Sequence, residues 1–188
     1  MNETDVRPPI PAWAQMGPER LAHVQRVAGL VAQWGRALGV PASEQQRWLR
    51  AAWLHDALRD AAPAELARWA PGAFGSVELW HGPAAASRAE ADGETDPGVL
   101  AAVRFHSVGS ADWDMAGRVL YCADFLEPGR SFDGAERAAL AARLPTEPGQ
   151  VFFEVVQRRV SNLVRSGWTL PDSTVQLWNS LTRAGSAR

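Results

Sequence analysis

The sequence predicts an all-α fold, a bundle of about eight or nine helices in a single domain. Along most of the 188 residues, apolar side chains recur at the three- and four-residue spacing of an amphipathic helix. Breaks that contain glycine or proline separate these segments, which is typical of helix ends. Hydrophobic residues make up 46% of the chain, enough to bury the core of one domain of this length.

The predicted helices follow an extended, proline-rich lead-in over residues 1–17. The helical domain is expected to span residues 18–185. Ser43 is predicted to begin the second helix through a Ser-x-x-Gln capping box. Residues 151–156 look strand-like, but residues 157–164 continue them with helical periodicity, so we predict no strand. The remaining breaks between helices are Gly39 to Pro41, Gly82 with Pro83, Asp96 with Pro97, and Pro145 to Gly149.

Charge and cysteine content restrict the classes of function. With 19 basic and 21 acidic side chains, the formal net charge is −2, which does not favour nucleic acid as a partner. Cys122 has no second cysteine for an internal disulfide, and the first residues lack the apolar core of a secretory signal, so we expect a cytoplasmic protein. No apolar run reaches the roughly 18 residues of a membrane helix, so we expect no membrane span.

All four histidines fall into one ordered series with two aspartates: His23, His55, Asp56, His81, His106 and Asp124. At about 100° per residue, His23 shares a face with apolar residues of the first predicted helix, and Asp56 with those of the second. His106 and Asp124 likewise lie on apolar faces of their own segments. Periodicity gives no direction for His81, which ends a short segment.

A metal centre would explain these six side chains together. A bare carboxylate in an apolar stripe is costly unless a cation or strong donors meet it. A single core histidine is usually satisfied by a backbone carbonyl, but here every histidine and two aspartates would each need a separate explanation. Imidazole and carboxylate are ligands of divalent metals. The pattern therefore predicts a buried His/Asp metal site.

This ordered series resembles the HD-domain phosphohydrolase superfamily, whose pattern is a His, an adjacent His-Asp pair and a distal Asp. His81 and His106 match the branch that binds two metals. More narrowly, the chain is similar to the YqeK-type symmetrical diadenosine tetraphosphate hydrolases over about residues 18–180. The segments that carry the resemblance are residues 20–23, 52–56, 81–83, 105–109 and 121–130, with Asn179 near the end.

The resemblance implies a single HD-domain helical bundle and a symmetrical bis(5'-nucleosyl)-tetraphosphatase, a hydrolase acting on phosphoanhydride bonds. It also implies two divalent metal ions, iron in particular, although manganese, zinc and cobalt suit the same ligands. A hydroxide shared by the metals is expected to attack diadenosine tetraphosphate in line and give two ADP. The implied ligand sets, which share Asp56 as the bridging residue, are His23, His55, Asp56 and Asp124 for one ion, and Asp56, His81 and His106 for the other.

Arginines are the candidates for binding the substrate phosphates. Arg59 lies one helical turn after the paired aspartate, and Arg130 lies six residues after the distal one. Arg20 either reaches the site or forms a surface salt bridge. Arg59 stands where the family has lysine; a guanidinium keeps its proton, so a catalytic role there is limited to holding phosphate. Ser107 replaces the family's usual threonine, and Glu127 is expected to orient an arginine or a metal ligand.

Two other functions stay open. One is a different HD-type phosphohydrolase, a nucleotidase or phosphodiesterase, which product analysis would distinguish from a symmetrical tetraphosphatase. The other is a non-catalytic, nucleotide-binding HD module, which the presence of all six ligands disfavours. The expected partner is a small dinucleotide substrate.

Trp80, beside His81, is a candidate for adenine stacking, although core packing accounts for most of the nine tryptophans. Trp168 and Trp178 pack internally or form a homodimer contact.

Overall fold

The computed structural model describes residues 9–73 and 75–185, which form nine α-helices, one 3₁₀ turn and no strand. The all-α prediction is confirmed. Residues 1–8 of the predicted lead-in lie outside the described part, residues 9–17 contain no helix, and α1 begins at Pro18. The helices are α1 (Pro18–Ala37), α2 (Ala42–Leu54), α3 (Pro63–Trp69), α4 (His81–Ala91), α5 (Pro97–Phe105), α6 (Met115–Leu126), α7 (Gly134–Arg143), α8 (Pro148–Arg165) and α9 (Asp172–Gly185), with the 3₁₀ turn at Val77–Leu79.

Helix α6 is the centre of the bundle, where it contacts α1, α2, α5, α7 and α8. Nine of its 12 residues are buried, because neighbouring helices cover it on most sides. Two tryptophans of the core have partners for their polar atoms, since the Nε1 atom of Trp34 donates to the carbonyl of Ala141 at 3.0 Å and that of Trp113 to the carbonyl of Ala101 at 3.1 Å. The position of Asp124 in α6 therefore brings its carboxylate into the middle of the fold.

Two predicted helix starts are wrong by a few residues. Helix α2 begins at Ala42, so Ser43 lies inside the first turn, where its helical backbone excludes the predicted capping role. Helix α4 begins at His81, so Gly82 and Pro83 open a helix where a break was predicted. Proline is tolerated in a first turn because the N–H that it lacks would have no partner there.

The predicted break at Asp96 is an N-cap. Its carboxylate accepts from the backbone N–H groups of Gly98 and Val99 at 2.9 and 3.1 Å, and Arg47, bonded to it at 2.6 Å, lowers its pKa to about 2. We expect Asp96→Ala to lower the free energy of unfolding by about 1–2 kcal/mol near neutral pH. Because the folded pKa lies below the unfolded one, the ion-pair contribution is present above about pH 4 and is lost as the pH falls toward 2.

Urea unfolding near neutral pH and at about pH 3 measures both effects of this substitution. Asp96→Asn is the matched control, since its amide oxygen keeps the cap and loses only the ion pair. An Asp96→Ala penalty that stays constant between the two pH values would contradict the contribution of the ion pair with Arg47.

The C-terminal helices cover one side of the bundle. Residues 151–156 belong to α8, as their helical continuation predicted. Helix α9 lies on α8, and Trp178 stacks internally on Phe153 with ring centroids 5.8 Å apart. Thr174 donates to the carbonyl of Val108 at 2.6 Å. Within residues 9–73 and 75–185, none of the helices combines the length and apolar character that a membrane span requires.

Candidate metal centre

The four histidines present the same ring nitrogen, Nε2, to a common centre. The Nδ1 atoms of His55, His81 and His106 lie 2.8, 2.6 and 2.8 Å from the backbone carbonyl oxygens three residues earlier. A carbonyl only accepts, so each Nδ1 carries the proton and each Nε2 keeps a free lone pair. The Nδ1 atom of His23 donates in the same way to Glu127, at 3.1 Å. All four rings are buried, and metal-binding histidines are oriented in this manner.

Asp56 lies between two pairs of these rings. Its Oδ2 atom is 3.7 and 3.6 Å from the Nε2 atoms of His23 and His55, and its Oδ1 atom is 3.2 and 3.4 Å from those of His81 and His106. The two oxygens therefore face two separate groups, each able to offer three ligand atoms to a metal. This is the geometry that a bridging carboxylate requires.

The spacing within each group suits a divalent metal ion. The Nε2 atoms are 3.4 Å apart in the pair His23 and His55, and 3.0 Å apart in the pair His81 and His106. Two nitrogens bonded to one ion at about 2.0–2.1 Å lie about 3.0–3.4 Å apart for bond angles of about 90–110°. The lone pairs of two unprotonated nitrogens repel at this distance unless a cation lies between them. The Ser107 hydroxyl faces the same centre, 3.1 Å from the Nε2 atom of His106.

Burial and neighbouring charges determine the ionisation of the centre. Burial lowers the pKa of His55 to about 4 and also lowers the pKa of His81, so both rings are neutral near pH 7, as metal ligands must be. Burial alone would raise the pKa of Asp56, but the surrounding imidazoles of His55, His106 and His81 hold it well below its usual range. Burial alone would lower the pKa of His23, but the carboxylates of Asp124, Glu127 and Asp56 raise it above its usual value. At neutral pH the centre therefore offers the neutral rings of His55 and His81 beside an ionised Asp56.

Asp124, the sixth predicted ligand, lies beside the first group, and both of its oxygens contact arginines. Its Oδ1 atom is 3.2 Å from the Nε2 atom of His23 and accepts from Arg130 at 2.6 Å, while Oδ2 accepts from Arg159 at 2.6 Å. Burial alone would raise the pKa of Asp124, but Arg159, His23 and Arg130 hold it well below its usual range. Each carboxylate oxygen has two lone pairs, so these contacts leave room for a metal bond.

Glu127 lies on the Nδ1 side of the His23 ring, opposite the Nε2 atom that faces the centre. It is buried, and it accepts from the Nε atom of Arg26 at 2.5 Å and from the backbone N–H of Gly129 at 2.7 Å. A carboxylate in this position fixes the histidine ring and raises its basicity. The orienting role predicted for Glu127 matches these contacts. Arg26 was missed, since its spacing in α1 does not distinguish it from a surface arginine.

A cavity of about 1100 Å³ has Asp56, His81, His106 and Asp124 in its wall. The predicted Arg20 reaches the centre itself, where it donates to the Oδ2 atom of Asp56 at 2.8 Å. Among the described residues, the side chain of Arg59 has no hydrogen bond, so its guanidinium is available to a ligand. The cavity wall contains six arginines: Arg20, Arg59, Arg130, Arg158, Arg159 and Arg165.

Arg159 is a second residue of this site that sequence reasoning missed. It lies in a polar run at residues 157–159, which reads as the solvated side of α8. In the fold its guanidinium covers the Tyr121 ring, 4.1 Å from the centroid, and donates to Asp124. Trp80, by contrast, is packed against the core and is not among the described residues of the cavity wall.

Gly82 allows the second group to form. A Cβ atom at this position would lie 2.9 Å from the carbonyl oxygen of Arg104 and 3.3 Å from the Cε1 atom of His106. We expect Gly82→Ala to push α4 away from α5 and to separate His81 from His106, lowering metal affinity at this group about 10-fold or more. Metal content per chain, measured after dialysis, tests this expectation.

The matched control for this substitution is Gly29→Ala, in the exposed part of α1, where an added Cβ atom meets nothing within 4 Å. We expect it to keep the full metal content. Equal metal content in the Gly82→Ala and Gly29→Ala variants would contradict the role of close helix approach at Gly82.

The fold agrees with that of a solved structure. The structure is similar to a crystallised protein of Clostridium acetobutylicum described as a predicted HD superfamily hydrolase involved in NAD metabolism, with a TM-score of 0.78, 20% identity, and coverage of 90% of this chain and 92% of that one. The chain therefore shares the all-α fold of that protein. No protein-family model matches the chain.

The sequence is similar to curated proteins named symmetrical bis(5'-nucleosyl)-tetraphosphatase. Those of Bacillus subtilis and Staphylococcus aureus are each 28% identical to it, over 105 and 107 residues, and that of Halalkalibacterium halodurans is 27% identical over 109 residues. The matches cover 55 to 57% of this chain and of those proteins, so the chain spans about half the length of the curated relatives it matches. These similarities confirm the predicted resemblance.

Proposed function

We propose that this protein is a metal-dependent hydrolase that cleaves diadenosine tetraphosphate, and related dinucleoside polyphosphates, symmetrically to two nucleoside diphosphates. One observation carries the proposal: four buried histidines, each with Nδ1 engaged, direct Nε2 toward the two oxygens of one carboxylate. The similarity to symmetrical tetraphosphatases supports the substrate class. The proposed ligands of two divalent ions, iron being the expected metal, are His23, His55, Asp56 and Asp124, and Asp56, His81 and His106.

When bound, such ions supply a nucleophile at neutral pH by lowering the pKa of water, and they stabilise charge on the reacting phosphate. The chain itself holds and orients the substrate. Arg59, which has no side-chain hydrogen bond among the described residues, can bind a phosphate without losing a hydrogen bond. Arg20 and Arg130 each contact a proposed ligand carboxylate, which places their remaining N–H groups beside the reacting phosphates. The leaving diphosphate is weakly basic, so a guanidinium that cannot donate a proton suffices to stabilise it.

Metal content and reaction products test this proposal. The purified chain is expected to hold about two transition-metal ions and to convert each diadenosine tetraphosphate into two ADP. Prolonged chelation is expected to stop turnover, and addition of metal to restore it. Turnover by chelated, metal-free protein would contradict the metal dependence.

The products also decide between the proposed function and the two alternatives. Release of ATP with AMP would contradict symmetrical cleavage. Mononucleotide with inorganic phosphate, or cleavage of a cyclic dinucleotide in place of diadenosine tetraphosphate, would assign the chain to another HD-type phosphohydrolase. Dinucleotide binding by metal-loaded protein without any turnover would assign it to a non-catalytic module.

A further inference from the structure

Two exposed aromatic side chains lie in the wall of the cavity that contains the metal centre. Trp168 is 65% exposed and Phe132 is 45% exposed, and within the described part of the chain they are the only aromatic members of the exposed large hydrophobic residues. They come from separate segments, since Trp168 follows α8 and Phe132 lies between α6 and α7. Aromatic surface at the wall of a polar cavity is typical of ligand sites.

The ring of Phe132 and the backbone of Trp168 are held in place by their surroundings. Phe132 has its edge against Phe125, with centroids 5.9 Å apart, and the guanidinium carbon of Arg137 lies 4.9 Å from its centroid. Arg137 is buried and donates to four backbone carbonyls between residues 125 and 132, so the loop that carries Phe132 is fixed. The backbone N–H of Trp168 donates to the carbonyl of Leu163 at 3.0 Å.

The polar groups of the same wall suit an anion. Six arginines line the cavity against four carboxylates. An arginine side chain offers N–H donors and no acceptor. A ligand that meets these donors carries acceptor oxygens, and a ligand that also covers the two rings carries flat aromatic groups. Nucleotides with several phosphates have both.

We propose that Trp168 and Phe132 each stack on one nucleobase of a dinucleoside polyphosphate whose phosphates follow the arginines of the cavity wall. This inference rests on the proposed function and adds the two subsites that hold the ends of the substrate. Stacking on an aromatic side chain contributes about 5- to 150-fold in affinity per base and tolerates any base, because every base has a π face. The two residues therefore select nucleotides over inorganic polyphosphates without selecting adenine over guanine.

Calorimetric titration of the full chain with ADP and with inorganic tripolyphosphate tests the stacking. Trp168→Leu and Phe132→Leu keep apolar bulk and remove the π face. Two ADP molecules can fill the two subsites, so we expect each variant to weaken the binding of one of them by about 5- to 150-fold, to spare the other, and to leave tripolyphosphate binding unchanged. Trp168→Tyr is expected to restore most of the ADP affinity. The matched control is Val164→Ala, on α8, 60% exposed and outside the described cavity wall, which is expected to change neither affinity.

Parallel assays separate failure of this inference from failure of the proposed function. If the unaltered chain cleaves diadenosine tetraphosphate but both leucine variants keep full ADP affinity, the stacking proposal is overturned and the function stands. If the chain does not cleave this substrate but the leucine variants lose ADP affinity selectively, the function is overturned and the stacking sites stand. Sedimentation velocity adds one outcome: a dimer that Trp168→Leu dissociates, with ADP affinity unchanged, would assign Trp168 to a contact between copies and overturn its role in stacking.

Discussion

Replacing Asp56 by alanine is expected to abolish metal binding at both ligand groups and to lower the rate of diadenosine tetraphosphate hydrolysis by about 10³-fold or more. Within residues 9–73 and 75–185, Asp56 is the only side chain that belongs to both groups. Its Oδ2 atom faces His23 and His55, and its Oδ1 atom faces His81 and His106. Its removal therefore takes one ligand from each ion and the negative charge from between them.

Elemental analysis of the purified variant, together with the rate of ADP release, measures both effects. Asp56→Asn keeps the shape of the side chain and removes its charge; we expect the same loss of rate with an unchanged circular dichroism spectrum. The matched control is Asp112→Ala, an exposed aspartate outside the described cavity wall, with full metal content and rate. An Asp56→Ala protein that retains two metal ions would contradict the bridging position.

The candidate ligands could be found from the sequence because helical periodicity directs several of them inward. His23 lies within α1, His106 directly follows α5 with helical dihedral angles, and Asp124 lies within α6, so their faces could be computed from neighbouring apolar residues. Asp56 is buried, as its predicted inward direction requires, although it lies outside the helix on which that prediction was based. Helix α2 ends at Leu54, but His55 keeps helical dihedral angles of −56° and −40°, which preserves the direction that an uninterrupted helix would give.

Contacts between distant segments could not be predicted in this way. Arg26 and Glu127 are 101 residues apart, and Arg159 and Asp124 are 35 residues apart. Which polar side of α8 meets the cavity depends on how α8 packs against α6, and spacing along one helix does not specify that packing. The sequence pattern therefore does not distinguish Arg159 from a solvated arginine. The position of Trp168 in the cavity wall could not be predicted either, since this residue follows α8, beyond the end of the helical pattern.

Replacing Asp124 by alanine is expected to have the largest effect on stability. Asp124 accepts hydrogen bonds from Arg159 and Arg130, both at 2.6 Å. The side chain of Arg159 is only 17% exposed, and its Nε atom already lacks a partner, so loss of Asp124 leaves a buried cation without compensation. We expect the free energy of unfolding to fall by about 3–5 kcal/mol. Urea unfolding of chelated protein measures this without any contribution from lost metal.

A double-mutant cycle in chelated protein separates the buried charge from the lost packing. Arg159→Met keeps most of the apolar volume against Tyr121, and Asp124 retains Arg130 as a partner, so this variant is expected to lose less stability than Asp124→Ala. The double variant removes both charges, so its loss is expected to be smaller than the sum of the single losses by about 0.5–3 kcal/mol. Additive losses would show that Arg159 is hydrated in the folded protein and that its contact with Asp124 contributes nothing to folding. A positive coupling would make the pair part of the scaffold that holds Asp124 beside His23, independent of any metal.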